Sequence, residues 1–303
     1  MSEVRVDPWS GLSVVIAPGR ASIGAPRPTG LPQPSGRCPF CPGHEADAEP
    51  TVAARGEPWR VRAVTNRYPL ASSEPGWLAG RHEVIVESRA HDTDLADMDA
   101  AALFDVLDLY RDRAAALAST PGTASVVLFR NRGRRAGSSQ PHPHAQIVAL
   151  PFVPPLVAAR EAIASREPDL FDRVLDEERR GPRAVRDREG WVSFCPFASS
   201  RAHEVRIVPS ARVERFAHLS DAALTGLSTH LAFVLRGLHA RMGLSDYNVL
   251  VREPPLGSAH GFLVIEILPR TGGDAGFELL TGASICVVAP EETAAALRHA
   301  PAS

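Results

Sequence analysis

The sequence predicts an α+β fold made of two tandem units, each a mainly antiparallel sheet with one packed helix. Two observations predict it. An internal repeat places a long amphipathic helical pattern at corresponding points of the two passes, with short β-branched runs on either side. The length, 303 residues, suits two units at roughly 100–200 residues per domain.

The elements follow in order. Pro18, Pro26, Pro28, Pro32, Pro34, Pro39, Pro42 and Pro50 make residues 18–50 a loop segment without regular structure. The first pass then runs from Trp59 to Pro69, and through the strand-like Arg81-His-Glu-Val-Ile-Val86. A helix follows, with Leu103, Val106, Leu107, Tyr110, Ala114 and Leu117 on one face and Pro121-Gly122 as its stop. Strand-like Ser125–Arg130 and Pro141–Ile147 complete it. The second pass repeats this as Trp191–Ser200 and Ala202–Val208. Its helix carries Leu224, Leu227, Leu231, Val234, Leu235, Leu238 and Met242, with Ser220 as N-cap and Gly243 as stop. Tyr247–Arg252 and Phe262–Ile267 close the pass. In this alignment His203 answers to His82, and Phe262 to His142. The division is 1–155 and 188–303, joined by a connector, 156–187, whose mixed charges read as a solvated helical face.

Composition narrows the function. Lys and Arg total 33, Asp and Glu 35, for a formal net charge of −2. That leaves no basic footprint for nucleic acid. All the basic residues are Arg, so lysine chemistry is excluded. No segment has the roughly 18 apolar residues of a membrane span, and no secretory signal opens the chain. Four cysteines in so long a chain are not a disulfide scaffold, and a cytoplasmic protein is expected.

Two segments carry chemistry. Cys38-Pro-Phe-Cys41 lies in an irregular loop, which favours zinc over a thioredoxin-type redox pair. Cys195 and Cys286 stand alone in apolar stretches and read as core residues. The remaining ligands must be histidines, with His44, His82, His91 and His142 as candidates. The second segment runs from Asn131 to Gln146. Gly133, Gly137, Ser138 and Ser139 offer backbone N–H groups and hydroxyls, and Arg132, Arg134 and Arg135 add positive charge. Such a loop suits a phosphate. In the extended His-x-His-x-Gln that follows, His142, His144 and Gln146 share one face.

This segment resembles the active-site strand of the galactose-1-phosphate uridylyltransferases, a branch of the histidine-triad superfamily. Ile16-Ala-Pro-Gly-Arg20, Cys38–Cys41 with Pro-Gly-His-Glu after it, Asn66-Arg-Tyr-Pro69, His82–Glu87, His91, Ala149-Leu-Pro-Phe152 and Ala275-Gly-Phe-Glu278 extend the resemblance in family order. It implies two tandem histidine-triad-like units. It implies His144 as the nucleophile that takes up a nucleoside monophosphate, UMP in the family, and Gln146 as the amide on the transferred phosphoryl group. It implies substrate contacts from Arg20, Asn66, Asn131, Gly137, Ser138, Ser139, Phe277 and Glu278. One structural zinc would be held by Cys38, Cys41, His91 and His142, with His44 as a rival ligand. The substrates would be a nucleotide sugar and a sugar 1-phosphate, as in galactose metabolism. The assembly would be a homodimer, with Ala275–Glu278 of one copy near His144 of the other.

The sequence also departs from the family. Phe262 and Val264 stand where many relatives have metal-binding histidines, which makes the second unit degenerate. Thr271-Gly-Gly-Asp274 occupies a stretch where relatives carry a basic residue for the sugar phosphate. Three readings follow: transfer to a sugar 1-phosphate, phosphorolysis or hydrolysis of the same intermediate, and a non-catalytic nucleotide-binding protein.

Overall fold

A computed structural model describes residues 2–20, 31 and 37–299. Parts of the Pro-rich segment, 21–30 and 32–36, lie outside the described residues. The fold is α+β. Its centre is one ten-stranded sheet formed by β3 (Thr51–Arg55), β4 (Val61–Thr65), β5 (Arg81–Val86), β6 (Ser125–Arg132), β7 (His144–Leu150), β8 (Ala184–Arg188), β9 (Trp191–Phe194), β10 (Val205–Pro209), β11 (Tyr247–Arg252) and β12 (Val264–Pro269). The spatial order is β3-β4-β5-β7-β6-β11-β12-β10-β9-β8. The chain traces one path from β3 to β7 and the same path from β8 to β12. β6 and β11 pair antiparallel where the two halves meet, from Leu128↔Val251 to Arg132↔Tyr247.

The two helices sit where periodicity puts them. α1 (Ala100–Ala118) begins at Asp99, whose carboxylate accepts the Ala102 N–H. It buries Leu103, Val106, Leu107, Tyr110, Ala114 and Leu117, together with Leu109. α4 (Asp221–Met242) has Ser220 as its N-cap and ends at Gly243 in the left-handed region, φ 63°. Both helices pack on one face of the sheet. Its Val126, Leu128, Ala145, Ile147, Val205, Ile207, Ile265 and Ile267 form one continuous core with them.

The expected plan needs three corrections. Each unit was expected to have its own sheet, but backbone pairing at β6–β11 merges them into one. The boundary at residue 155 does not hold for the N-terminus. β1 (Glu3–Val6) and β2 (Ser13–Ile16) form a separate small sheet with β13 (Ser284–Cys286) from the far end of the chain, and Trp9 packs on the second half. The connector's charges do form a solvated face, with Arg173, Asp176 and Arg180 exposed, but its other face is buried. α2 (Pro155–Arg166) and α3 (Leu170–Arg180) cover the second half of the sheet, where Leu170, Phe171, Val174 and Leu175 are buried, and β8 extends the sheet's edge.

This cover decides which half keeps an open outer face. Phe262 packs its ring against Trp9 and Phe171, with centroids 5.1 and 5.0 Å apart. Beside it lies a buried ion network. Arg206 pairs with Asp7 at 2.8 Å and with Glu204 at 3.2 Å. Glu266 takes Arg252 at 2.8 Å and Arg160 at 3.1 Å. The pairings Val84↔Gln146 and Arg206↔Glu266 put Glu204 and Glu266 at the register positions of His82 and Gln146. At these positions arginines hold the two carboxylates. Glu204, rather than His203, answers to His82. Cys195 and Cys286 are buried, as expected.

Candidate active site

The site is built on the outer face of the first half, at the start of β7. The Cys38–Cys41 loop is closed by a Cys41 N–H to Cys38 carbonyl bond of 3.3 Å. It is tied to β4 by Arg62, which donates to the Pro39 carbonyl at 3.0 Å. Cys41 Sγ lies 3.2 Å from His91 Nδ1 and 3.6 Å from His142 Nδ1. Cys38 Sγ lies 3.7 Å from His142 Nδ1. The four ligand atoms all fall within 4.8 Å of one another. His142 Nε2 is 2.8 Å from the Ser88 carbonyl, to which only an N–H can donate. Nδ1 is thereby the unprotonated, metal-facing atom, the outer-shell arrangement usual for a histidine ligand. Burial and the neighbouring Cys38 push the Cys41 thiol up to about 11, and a bound cation would favour its thiolate. Two sulfurs and two nitrogens on one point suit zinc.

The other two histidine candidates are engaged elsewhere. His44 Nδ1 lies 2.9 Å from the Cys38 carbonyl and braces the loop. His82 faces Gln146 and Asn66.

His144 follows His142 by two residues and shares its face. Its Nδ1 is 2.8 Å from the His142 carbonyl. Nδ1 therefore carries the proton, and Nε2 keeps its lone pair. Burial holds its pKa below the ordinary value, with Arg130 acting in the same direction and Glu87 against. The imidazole is neutral near pH 7 and is a competent nucleophile. The ring of Phe40 lies over it, with centroids 5.8 Å apart.

A buried charge network closes the end of the site next to α1. Arg130 on β6 donates to Glu87 and to Asp94, both at 2.8 Å, and to the Tyr247 hydroxyl at 3.1 Å. Tyr110 donates its hydroxyl to Glu87. Arg130 and Glu87 are both almost fully buried. Glu87→Ala should cost about 3–5 kcal/mol in a urea unfolding experiment, because it strands a buried guanidinium. A loss under about 1 kcal/mol would mean that Asp94 alone compensates it.

The loop from Asn131 to Ser139 is more closed than expected. Gly133 and Gly137 adopt φ 84° and φ 83°. A side chain at Gly133 would meet the Asp246 carboxylate at 2.4 Å. The Gly137 and Ser138 N–H groups donate to Arg134 and Gly133 carbonyls, and the Arg135 N–H donates to Asp246. These N–H groups hold the turn and are spent on it. Ser138 gives its hydroxyl to the Gln140 carbonyl, whereas Ser139 is exposed. Arg132 pairs with Asp94 at 3.3 Å, and Arg134 donates to Leu31. The expected cradle of backbone donors and arginines is thus partly used up internally. The side-chain NH₂ groups of Asn131 and Gln146 remain, while Asn66 is held between the Tyr68 N–H and His82.

Arg20 and Phe277 come together away from this strand, lining an open hollow of about 570 Å³ with Val15, Ala17 and Ile285. Glu278 caps its own short helix α5 (Gly276–Thr281) by accepting the Ala275 N–H. Sequence reasoning missed Phe40, Asp246 and Asn248. Asn248 is brought to Asn131 only by the β6–β11 pairing, which no local pattern announces.

The family model "Galactose-1-phosphate uridyl transferase, N-terminal domain" matches residues 71–154. A galactose-1-phosphate uridylyltransferase of Streptomyces lividans is 34% identical over 74% of this chain and 61% of its own length. An ADP-glucose phosphorylase of Arabidopsis thaliana is 30% identical over 98% of this chain and 92% of its own. The chain belongs to the galactose-1-phosphate uridylyltransferase family. Solved structures agree. The Arabidopsis ADP-glucose phosphorylase with bound ADP-glucose superposes with a TM-score of 0.89 at 27% identity, covering 100% of both chains. A uridylyltransferase structure gives 0.78 at 27% identity over 98% and 97% of the two chains. The family's matched segment contains β5, α1, β6 and β7, and with them His142, His144 and Gln146.

Proposed function

We propose that the chain moves a nucleoside monophosphate from a nucleotide sugar to a phosphate acceptor through a covalent nucleotidyl-histidine on His144. The observation that carries this reading is the bond from His144 Nδ1–H to the His142 carbonyl, which aims the Nε2 lone pair away from the backbone. Nε2 attacks the α-phosphorus. The bond from that phosphorus to the bridging oxygen breaks, and the sugar 1-phosphate leaves with the electron pair. An acceptor oxygen then attacks the same phosphorus, and the P–N bond returns its electrons to the ring. Gln146 donates to the phosphoryl oxygens as charge builds on them. Asn131 and the exposed Ser139 are the contacts for the rest of the nucleotide.

A zinc ion fits Cys38, Cys41, His91 and His142. Its chemistry is structural: it pins the loop and the start of β7, so that the His142 carbonyl is a fixed acceptor for His144. The working form is a cytoplasmic homodimer. Phe277, Leu279 and Leu280 on α5 are exposed, and α5 with Glu278 would complete the acceptor end of a second copy's site. None of the four cysteines is in a disulfide, which suits a reducing compartment. No helix among the described residues is long and apolar enough to cross a membrane.

Inorganic phosphate is the favoured acceptor. Residues 271–274 supply no cation for a sugar phosphate, and Asp274 instead takes Arg201 at 2.5 Å. A relative that spans 98% of the chain is a phosphorylase. Transfer to galactose 1-phosphate is the second reading, favoured by the transferase relatives. The test incubates the protein with ADP-glucose or UDP-glucose, each with phosphate or with galactose 1-phosphate. Nucleoside diphosphate and glucose 1-phosphate formed with phosphate support phosphorolysis. Product only with galactose 1-phosphate supports the second reading, and no product in any arm contradicts both.

A further inference from the structure

The polar side chains around His144 have their donor and acceptor ends fixed by backbone groups, whose polarity is not negotiable. Leu70 N–H can only donate, and it lies 3.0 Å from His82 Nδ1. Nδ1 is therefore the acceptor, and the neutral ring carries its proton on Nε2. That nitrogen lies 3.0 Å from Gln146 Oε1 and donates to it. The Ala136 carbonyl can only accept, and it lies 2.9 Å from Asn248 Nδ2. The same amide nitrogen lies 2.8 Å from Asn131 Oδ1 and donates to it. In both chains of bonds the site amide has its oxygen occupied and its NH₂ turned to the remaining side. Asn66 differs: its Oδ1 accepts the Tyr68 N–H at 2.9 Å, and its Nδ2 lies 3.0 Å from His82 Nε2, so its NH₂ faces the ring.

We infer that His82 and Asn248 are positioning residues: they hold the carbonyl oxygens of Gln146 and Asn131 so that both amides present only N–H donors to the nucleotide phosphates. This deepens the proposed nucleotidyl transfer and rests on it. An amide free to rotate would present oxygen to an anion part of the time, and the penalty would grow as negative charge develops. Burial supports the arrangement. His82 is 3% exposed and Asn248 9%. Burial also keeps the His82 ring below its ordinary pKa, hence neutral at pH 7. The two residues reach the site from opposite sides, His82 from β5 and Asn248 from β11 across the junction of the two halves. At the corresponding register in the second half, Glu204 and Glu266 serve an ion network, so the device belongs to the half that carries His144.

The test is a pair of double-mutant cycles on phosphorolysis of ADP-glucose and UDP-glucose. His82→Ala and Asn248→Ala should each lower kcat by about ten- to a hundredfold with a smaller change in KM. In a Gln146→Ala background His82→Ala should cost less than about twofold, and so should Asn248→Ala in an Asn131→Ala background. His82→Gln, which keeps one acceptor and one donor, should recover most of the loss. Additive effects, or losses confined to KM, would overturn the inference. A ¹⁵N spectrum of the His82 ring gives a readout independent of turnover, identified by its absence in His82→Gln. An Nε2–H tautomer is expected, and an Nδ1–H tautomer would overturn the inference even in an active enzyme. Absence of turnover in the unsubstituted protein, with the Nε2–H tautomer in place, would instead sink the proposed reaction.

Discussion

His144→Ala should abolish nucleotidyl transfer, with kcat falling by about four to six orders of magnitude, the scale seen when a covalent nucleophile is removed. The imidazole Nε2 is the one lone pair that the bond from Nδ1–H to the His142 carbonyl leaves aimed into the site. Neither Gln146 nor Asn131 can replace it, because an amide nitrogen has no available lone pair. The substitution deletes a ring that makes no ion pair among the described residues and lies tilted by 46° against the Phe40 ring. Zinc content and the urea midpoint should therefore stay near those of the unsubstituted protein. Retained turnover would rule out His144 as the nucleophile. Lost turnover together with lost zinc would show a collapse of the loop rather than a loss of chemistry.

His142→Ala should have the opposite signature. It removes one ligand from a set whose atoms all lie within 4.8 Å of one another, and it leaves the Ser88 carbonyl without its donor. Zinc measured by elemental analysis should fall from about one per chain to a small fraction. Unfolding free energy should fall on the order of 5 kcal/mol, part of the binding energy that a structural zinc lends to folding. Activity should fall as well, because the His142 carbonyl that holds His144 would no longer be anchored. Chelation of the unsubstituted protein should reproduce all three losses. His44→Ala should keep its zinc, since among the described residues the His44 ring bonds to the Cys38 carbonyl. Full zinc occupancy in His142→Ala, or its loss in His44→Ala, would contradict this ligand set.

Much of the fold and of the site is legible in the amino-acid sequence. The α1 and α4 core faces follow from three- and four-residue apolar steps, and their caps from Ser220 and Gly243, because helical order is written locally. The Cys-x-x-Cys and the His-x-His-x-Gln are local too, so they name the metal and nucleophile candidates directly. What is not legible depends on long-range pairing. The merging of two sheets is decided at β6–β11. Trp9 and the Phe171 face of α3 close the second half, and a charged connector pattern conceals that face. From sequence His82 can be weighed only as a metal ligand, since its real neighbours, Leu70 and Gln146, are set by a turn and a strand register. The phosphate-loop reading overcounts donors for a similar reason. Asp246 is far away in sequence, yet it takes the Arg135 N–H and packs where a Gly133 side chain would stand.

The account stands on a covalent link between His144 and the transferred nucleotide. Its most direct test is intact and peptide mass spectrometry of protein quenched with base during turnover, with ADP-glucose and UDP-glucose as separate donors and no acceptor added. The expected result is one nucleoside-monophosphate adduct per chain on the peptide that contains His144, labile to acid and discharged by phosphate or a sugar 1-phosphate. An active enzyme that shows no adduct under these conditions, or carries it on another residue, would contradict the account.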